Sequence, residues 1–156
     1  MKIALCQINT VIGDLENNKK KILNLYNKGV SDNADLVIFP ELCLVGYPPL
    51  DLVEKKEFRD AAHKAANEIA SVTGDTGILF GSITEGTNIA GNDIHNSALL
   101  CYNGKIQFVQ HKSLIPNYDV FDEMRYFEPA SKVSIHEFKG EKLGISICED
   151  IWNDED

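Results

Sequence analysis

Three residues of this chain have side chains that together could carry out nucleophilic catalysis. Glu41 follows the apolar run DLVIFP, Lys112 follows KIQFVQH, and Cys148 ends KLGISIC. A thiol is a weak nucleophile until a base removes its proton or a cation stabilises the thiolate. The carboxylate could be that base, and the ammonium could stabilise the thiolate and then the oxyanion of a tetrahedral intermediate. Taken singly, a cysteine in an apolar run is usually a small buried hydrophobe, and a charged residue after a strand is usually solvated.

The surrounding elements place the charged residues at strand ends. Residues 2–8 are typical of a buried strand, and Asp14 can cap a helix that runs to about Lys28, with Gly29 as its stop. The strand DLVIFP (35–40) then ends at a proline. Strand, helix and strand in this order predict a right-handed crossover with parallel pairing. Because the carboxyl ends of parallel strands gather at one crevice, we expect the three side chains to converge there.

The rest of the chain alternates regular elements with two long loops. Residues 41–52 contain a glycine and two prolines and form the first loop, and residues 54–72 form a second helix. GILFGSITE and IHNSALLCY are typical of strands, and Asn103-Gly104 predicts a type I′ turn from the latter into KIQFVQ. After a second loop over 112–131, KVSIHEF and KLGISIC predict a hairpin across KGEK. The fold class is mixed α/β, and a helix opening at EDIW would offer Cys148 free backbone N–H donors.

Composition argues against several classes of function. The formal net charge of −9 disfavours nucleic acid and anionic membranes as partners, because both attract basic proteins. No apolar run approaches the ~18 residues of a transmembrane helix, and MKIALCQIN is typical of a strand and not of a signal peptide, so we expect a cytoplasmic protein. The four cysteines contain no CxxC pair, which disfavours a disulfide framework or a zinc site. The phosphate-binding pattern GxGxxG is absent.

Three segments resemble the signature regions of the nitrilase (carbon–nitrogen hydrolase) superfamily: FPELCLVGYPPLDL, HKSLIPNYDVFDEMRYF and GISICEDIW. Within it they are most similar to the N-terminal glutaminase domains of glutamine-dependent NAD⁺ synthetases, over the whole chain. The resemblance implies a nitrilase-like α-β-β-α sandwich that is incomplete, with residues 1–156 as a partial glutaminase domain and the synthetase domain absent. The implied roles are general base for Glu41, oxyanion-stabilising cation for Lys112, nucleophile for Cys148 and a supporting acid for Glu123.

The resemblance also implies a reaction, a substrate pocket and partners. Glutamine would lose its side-chain amide through a cysteine thioester, and the ammonia would serve the amidation of deamido-NAD. Tyr47, Phe121, Glu149 and Trp152 match positions of the glutamine pocket, where a carboxylate can hold an α-amino group and aromatic rings can enclose an aliphatic stem. The glutaminase half would need no metal or cofactor, and ATP, Mg and deamido-NAD are expected only for the missing synthetase domain. We expect a homo-oligomer, or association with the missing C-terminal portion, because an incomplete sheet leaves an edge and apolar surface uncovered.

Three alternative interpretations stay open. The chain could be an amidase or nitrilase of another branch, with a different amide or nitrile as substrate. It could be an inactive fragment that acts only as an association module. A flavodoxin-like binding module would also explain the opening strand-helix-strand pattern, although it would lack a phosphate-binding loop.

Overall fold

Two consecutive β-α-β units form the first half of the chain in the computed structural model, which describes residues 1–86 and 93–152. In chain order their elements are β1 (Ile3–Leu5), α1 (Leu15–Ser31), β2 (Leu36–Ile38), α2 (Lys56–Ser71) and β3 (Gly77–Glu85). β1 pairs in parallel with β2, and β2 pairs in parallel with β3. The predicted alternation and the parallel pairing are confirmed, although β1 is shorter than the apolar run that predicted it.

Two antiparallel strands complete a sheet of order β1-β2-β3-β4-β5. β4 (Ile94–Tyr102) pairs with β3, and β5 (Lys105–His111) pairs with β4. Asn103 and Gly104 between them have φ of 52° and 75°, so both central turn residues are left-handed, as a type I′ turn requires. Because β3 and β5 both run antiparallel to β4, the carboxyl ends of β2, β3 and β5 lie at the same edge of the sheet.

The two faces of this sheet are covered by different structures. Both helices pack on one face, where Ile22 and Ile69 are fully buried against sheet residues such as Phe80. A separate hairpin, β6 (Ile135–Phe138) with β7 (Glu141–Gly144), covers part of the other face through Phe138. The described residues thus form a helix layer, a sheet layer and a hairpin layer of a mixed α/β fold. Among the helices of these residues, none has the length and the apolar composition that a membrane-spanning segment requires.

The sequence predicted that the first helix ends at Gly29, and this prediction is wrong. The side chain of Asp14 caps α1 by accepting a hydrogen bond from the backbone N–H of Asn17 at 3.2 Å, as expected, but the helix continues to Ser31. Gly29 is buried inside it, and a Cβ at this position would lie 2.5 Å from Cγ2 of Val37. The glycine therefore lets the last turn of the helix lie directly against β2.

The predicted strand KLGISIC ends earlier than expected. β7 stops at Gly144, and the next residues leave the hairpin to bury Ile145 and Ile147 against the large sheet beside Ala98. The backbone N–H of Ile147 donates to Oδ2 of Asp150 at 2.9 Å instead of joining a strand ladder. Cys148 consequently begins a short 3₁₀ helix, Cys148–Ile151, and does not end a strand.

Candidate active site

Glu41 lies in a tight turn directly after β2. Leu42 has φ of 47°, in the left-handed region that side chains rarely adopt, and the backbone N–H of Leu44 donates to the carbonyl of Gly81 at 3.1 Å. A Cβ at Gly81 would lie 2.1 Å from the backbone nitrogen of Leu42. A glycine in β3 is therefore needed for this turn to lie against the edge of the sheet, and the close packing fixes where the carboxylate of Glu41 stands.

Lys112 begins the loop after β5, and its side chain is 0% exposed. Its Nζ lies 2.7 Å from Oε1 of Glu41, and 2.9 and 3.2 Å from Oε2 and Oε1 of Glu123. Burial opposes the charged form, but the hydrogen bonds to the two carboxylates outweigh it and raise the pKa of Lys112 above its usual value. The ammonium therefore stays charged at neutral pH, in contact with residues far away in the chain.

Glu123 opens a short 3₁₀ helix, Glu123–Arg125, and its side chain is 6% exposed. Besides the ion pair with Lys112, it accepts a hydrogen bond from the hydroxyl of Tyr47 at 3.0 Å. Burial and the nearby charge of Glu123 raise the pKa of Tyr47, so this phenol remains a neutral donor. Glu41, Lys112, Glu123 and Tyr47 thus form one hydrogen-bonded cluster at the edge where β2 and β5 end.

Cys148 is the one exposed cysteine among the described residues, and it has φ of 46°. It lines the same cavity as Glu41, a space of about 120 Å³ walled by Leu79 and Ala98 of the sheet. Partial burial raises the pKa of the thiol, the negative charge of Glu41 raises it further, and Lys112 only partly offsets these effects. Lys112 favours the thiolate, as expected, but burial and the nearby carboxylates outweigh it, so the thiol is protonated at neutral pH.

The remaining predicted pocket residues are not among those that line the cavity of Glu41 and Cys148. Phe121 packs edge-on against Tyr118 with ring centroids 5.6 Å apart, and it lines an apolar cavity of about 210 Å³ together with Tyr47. Glu149 accepts a hydrogen bond from the hydroxyl of Tyr118 at 2.8 Å. Trp152 is 69% exposed.

Two polar residues of the site were missed by the sequence interpretation. Asn96, in the middle of β4, donates from Nδ2 to Oε1 of Glu41 at 2.7 Å and is 0% exposed. Asp150 accepts backbone hydrogen bonds at Oδ1 from Ser113 and Leu114, both at 2.8 Å, and at Oδ2 from the residue before Cys148. A polar asparagine among the apolar residues of IHNSALLCY was the available signal for the first, whereas the sequence carries no signal for the clamp made by Asp150.

Comparison with known proteins places these features in a family. Residues 2–156 match the family model described as carbon-nitrogen hydrolase. Among curated relatives, the glutamine-dependent NAD(+) synthetase of Synechocystis sp. is 39% identical over 98% of this chain and 28% of that protein. The glutamine-dependent NAD(+) synthetase of Thermotoga maritima is 36% identical over 98% of this chain and 26% of that protein. The chain thus spans about a quarter of the length of the curated relatives that it matches.

Solved structures resemble the same part of the chain. The glutamine-dependent NAD+ synthetase from Acinetobacter baumannii, in complex with adenosine diphosphate, superposes with a TM-score of 0.89 and 36% identity, over 96% of this chain and 28% of that one. An amidase from Nesterenkonia sp. superposes with a TM-score of 0.79 and 22% identity, over 97% of this chain and 56% of that one. The similarity to the amidase shows a shared fold and nothing further.

Proposed function

The chain belongs to the carbon–nitrogen hydrolase family, and we propose that it carries the glutaminase site of a glutamine-dependent NAD⁺ synthetase. Its similarity to synthetases of two organisms over almost all of its length supports the choice of substrate. In this proposal the amide nitrogen of glutamine leaves as ammonia and is used elsewhere to amidate deamido-NAD. ATP and Mg belong to that second reaction. A cytoplasmic location and self-association remain predictions.

The observation that carries the proposal is the fully buried ammonium of Lys112 between Glu41 and Glu123, next to a cavity lined by Cys148. Removing an ammonium and a carboxylate from water costs several kcal/mol for each ion, and mutual attraction often only offsets that cost. Replacing all members of such a buried charged cluster together by apolar residues of similar volume is often neutral or stabilising. A charged cluster retained beside an exposed thiol is therefore best explained by catalysis.

The first half of the reaction forms a thioester. Glu41 takes the proton of the neutral Cys148 thiol while sulfur forms a bond to the amide carbon of glutamine, and the carbonyl electrons move to oxygen. Lys112 supplies positive charge for that oxyanion. When the intermediate collapses, the carbon–nitrogen bond breaks and the leaving nitrogen takes the proton from Glu41, so that ammonia departs and the carboxylate is restored.

The second half releases glutamate. Glu41 takes a proton from a water molecule whose oxygen attacks the thioester carbon, and the new oxyanion again meets Lys112. Collapse breaks the carbon–sulfur bond, and the sulfur recovers a proton from Glu41. A raised pKa for Cys148 suits this cycle, because the thiol begins and ends protonated and the base must act in the step that forms the bond.

The other predicted residues have supporting roles in the proposal. Glu123 and Tyr47 hold the ammonium in place through the hydrogen bonds described above. Glu149 offers a carboxylate for the α-ammonium of glutamine, and Phe121 offers an aromatic wall for its aliphatic stem. The role of Trp152, whose side chain is largely exposed, rests on the sequence resemblance.

The test uses covalent trapping of the thiol. The chain is incubated with a glutamine analogue that carries a diazoketone in place of the side-chain amide, and adducts are located by peptide mass mapping. We expect labelling at Cys148 that free glutamine prevents, and no labelling after Cys148→Ala. Protection by short aliphatic amides but not by glutamine would favour an amidase of another branch. Absence of labelling in a folded chain would contradict the proposal and favour an association module.

A further inference from the structure

The two hydrogen bonds that hold Glu41 end on the same oxygen atom. Nζ of Lys112 and Nδ2 of Asn96 both lie 2.7 Å from Oε1 of Glu41. One carboxylate oxygen has two lone-pair positions, so these donors occupy both. Oε2 of Glu41 has no hydrogen-bond partner in the part of the chain that the structure describes.

We propose that Asn96 is a positioning residue that reserves Oε2 of Glu41 for the proton of Cys148. This inference rests on the proposed function, in which Glu41 is the base. The terminal torsion of a glutamate is broad, and a carboxylate can exchange its two oxygens by rotation. Lys112 alone would not prevent that exchange, because an ammonium is a compact point charge that can pair with either oxygen of the carboxylate. The amide of Asn96 provides a donor in one fixed direction.

The surroundings of Asn96 make its direction fixed. The residue pairs with Ile83 inside the β3-β4 ladder, and its own carbonyl accepts the backbone N–H of Lys112 at 2.8 Å. Asn96 is therefore joined through its side chain to Glu41 and through its backbone to Lys112. Its strand, β4, also lies between β2, which precedes Glu41, and β5, which precedes Lys112. Asn96 therefore fixes the position of both charged groups relative to the sheet.

The hydrogen bonding of Asn96 points to function and not to stability. Its Oδ1 is buried and finds no partner among the described residues. A buried acceptor without a partner is destabilising, and a leucine of similar shape would avoid that cost. The single side-chain bond from Asn96 to Glu41 is the one contact for which an amide is required here. Substitution by leucine therefore removes that contact and no other hydrogen bond of the side chain.

The experiment measures thioester formation in single turnovers of the chain with saturating glutamine, by rapid acid quench and intact mass. We expect Asn96→Leu to slow acylation about ten-fold or more, which corresponds to about 1.4 kcal/mol, with little change in the glutamine concentration that half-saturates the rate. Asn96→Leu combined with Glu41→Gln should be no slower than Glu41→Gln alone, because the asparagine acts through the glutamate.

Ser82→Ala is the matched control. Ser82 is a fully buried polar residue of the adjacent strand, its hydroxyl has no partner among the described residues, and it makes no bond to Glu41. The acylation rate of the Ser82→Ala variant should stay within about two-fold of the rate of the parent chain, since the substitution removes no hydrogen-bond donor to Glu41. Should Asn96→Leu not fold by circular dichroism, Asn96→Ser replaces it, because a serine hydroxyl is too short to reach the carboxylate.

The outcomes separate the two hypotheses. An Asn96→Leu chain that acylates at the parent rate, or losses from Asn96→Leu and Glu41→Gln that simply multiply in the double variant, would overturn the role of Asn96 and leave the proposed function intact. A parent chain that forms no thioester with glutamine would overturn the proposed function, and the assignment of Asn96 with it.

Discussion

Replacing Lys112 by methionine tests whether the buried charge cluster is as costly to break as its geometry indicates. Methionine has nearly the same length and no charge, so the substitution preserves packing and removes the ammonium. The side chains of Glu41 and Glu123 are only 19% and 6% exposed, and they would then face each other without a cation. Removing one partner of a buried ion pair typically costs about 3–5 kcal/mol, because the other charge is left uncompensated. We expect the free energy of unfolding to fall by that amount.

Urea unfolding followed by circular dichroism measures this loss. With a denaturant dependence of about 1–3 kcal/mol per molar, the midpoint should move down by about 1 M or more. Lys56→Met is the matched control, because Lys56 lies 2.7 Å from Asp60 but 71% of its side chain is exposed. Water screens that pair, so its removal should leave the urea midpoint almost unchanged.

The stability difference between the parent chain and Lys112→Met should also depend on pH in the alkaline range. Since the folded state raises the pKa of Lys112, its stabilising contribution is complete below the unfolded pKa of about 10.4 and is lost as the pH rises through the folded pKa. The stability difference between the parent and Lys112→Met should therefore shrink above about pH 10.4. A difference below about 1 kcal/mol at pH 7, or one as small as that of Lys56→Met, would refute the burial argument.

Three further predictions concern the placement of the site. Gly81→Ala should lower the free energy of unfolding by about 1–3 kcal/mol in urea titrations, since its Cβ would meet backbone at 2.1 Å, whereas Gly144→Ala, with open space around it, should have a smaller effect. At neutral pH, iodoacetamide should label Cys148 before the two deeply buried cysteines, whose pKa is raised to about 12, as peptide mass mapping would show. Its labelling should accelerate as the pH rises; a rate independent of pH between 6 and 8 would contradict the raised pKa. Asp150→Ala should speed hydrogen exchange about ten-fold or more at the three backbone amides that donate to it, and unchanged exchange would argue against the clamp.

Much of the fold could be predicted because it depends on residues close together in the chain. The cap at Asp14 involves a backbone amide three positions away, and the turn at Asn103-Gly104 requires only two residues that tolerate positive φ. The alternation of apolar runs and amphipathic helices likewise predicts parallel crossovers without knowledge of the packing. These local signals also place Glu41 and Lys112 after strands, which is why both residues could be chosen before their contact was seen.

Packing between distant segments decided the features that local patterns could not predict. Gly29 is typical of a helix stop, but its lack of a side chain serves the approach of β2 and the helix continues past it. The isoleucines before Cys148 have the alternation of a strand, yet burial against the large sheet and a bond to Asp150 draw them out of the hairpin. For the isoleucines the local pattern is correct about burial and wrong about the partner, and for Gly29 it is wrong about where the helix ends.

The charges at the site likewise depend partly on the sequence alone and partly on the tertiary structure. The sequence by itself determined which groups are present: a thiol, an ammonium and several carboxylates, each at or after the end of a predicted strand or in a loop. Only the tertiary structure decided how they share their charges, because Lys112 meets Glu41 across 71 positions of the chain and Glu123 across 11. The pKa of Cys148 depends on burial and on the sum of all nearby charges, which fall off with distance in space and not in sequence. That is why Lys112 lowers the pKa of the thiol, as expected, and is still outweighed there by burial and by the carboxylates that hold it.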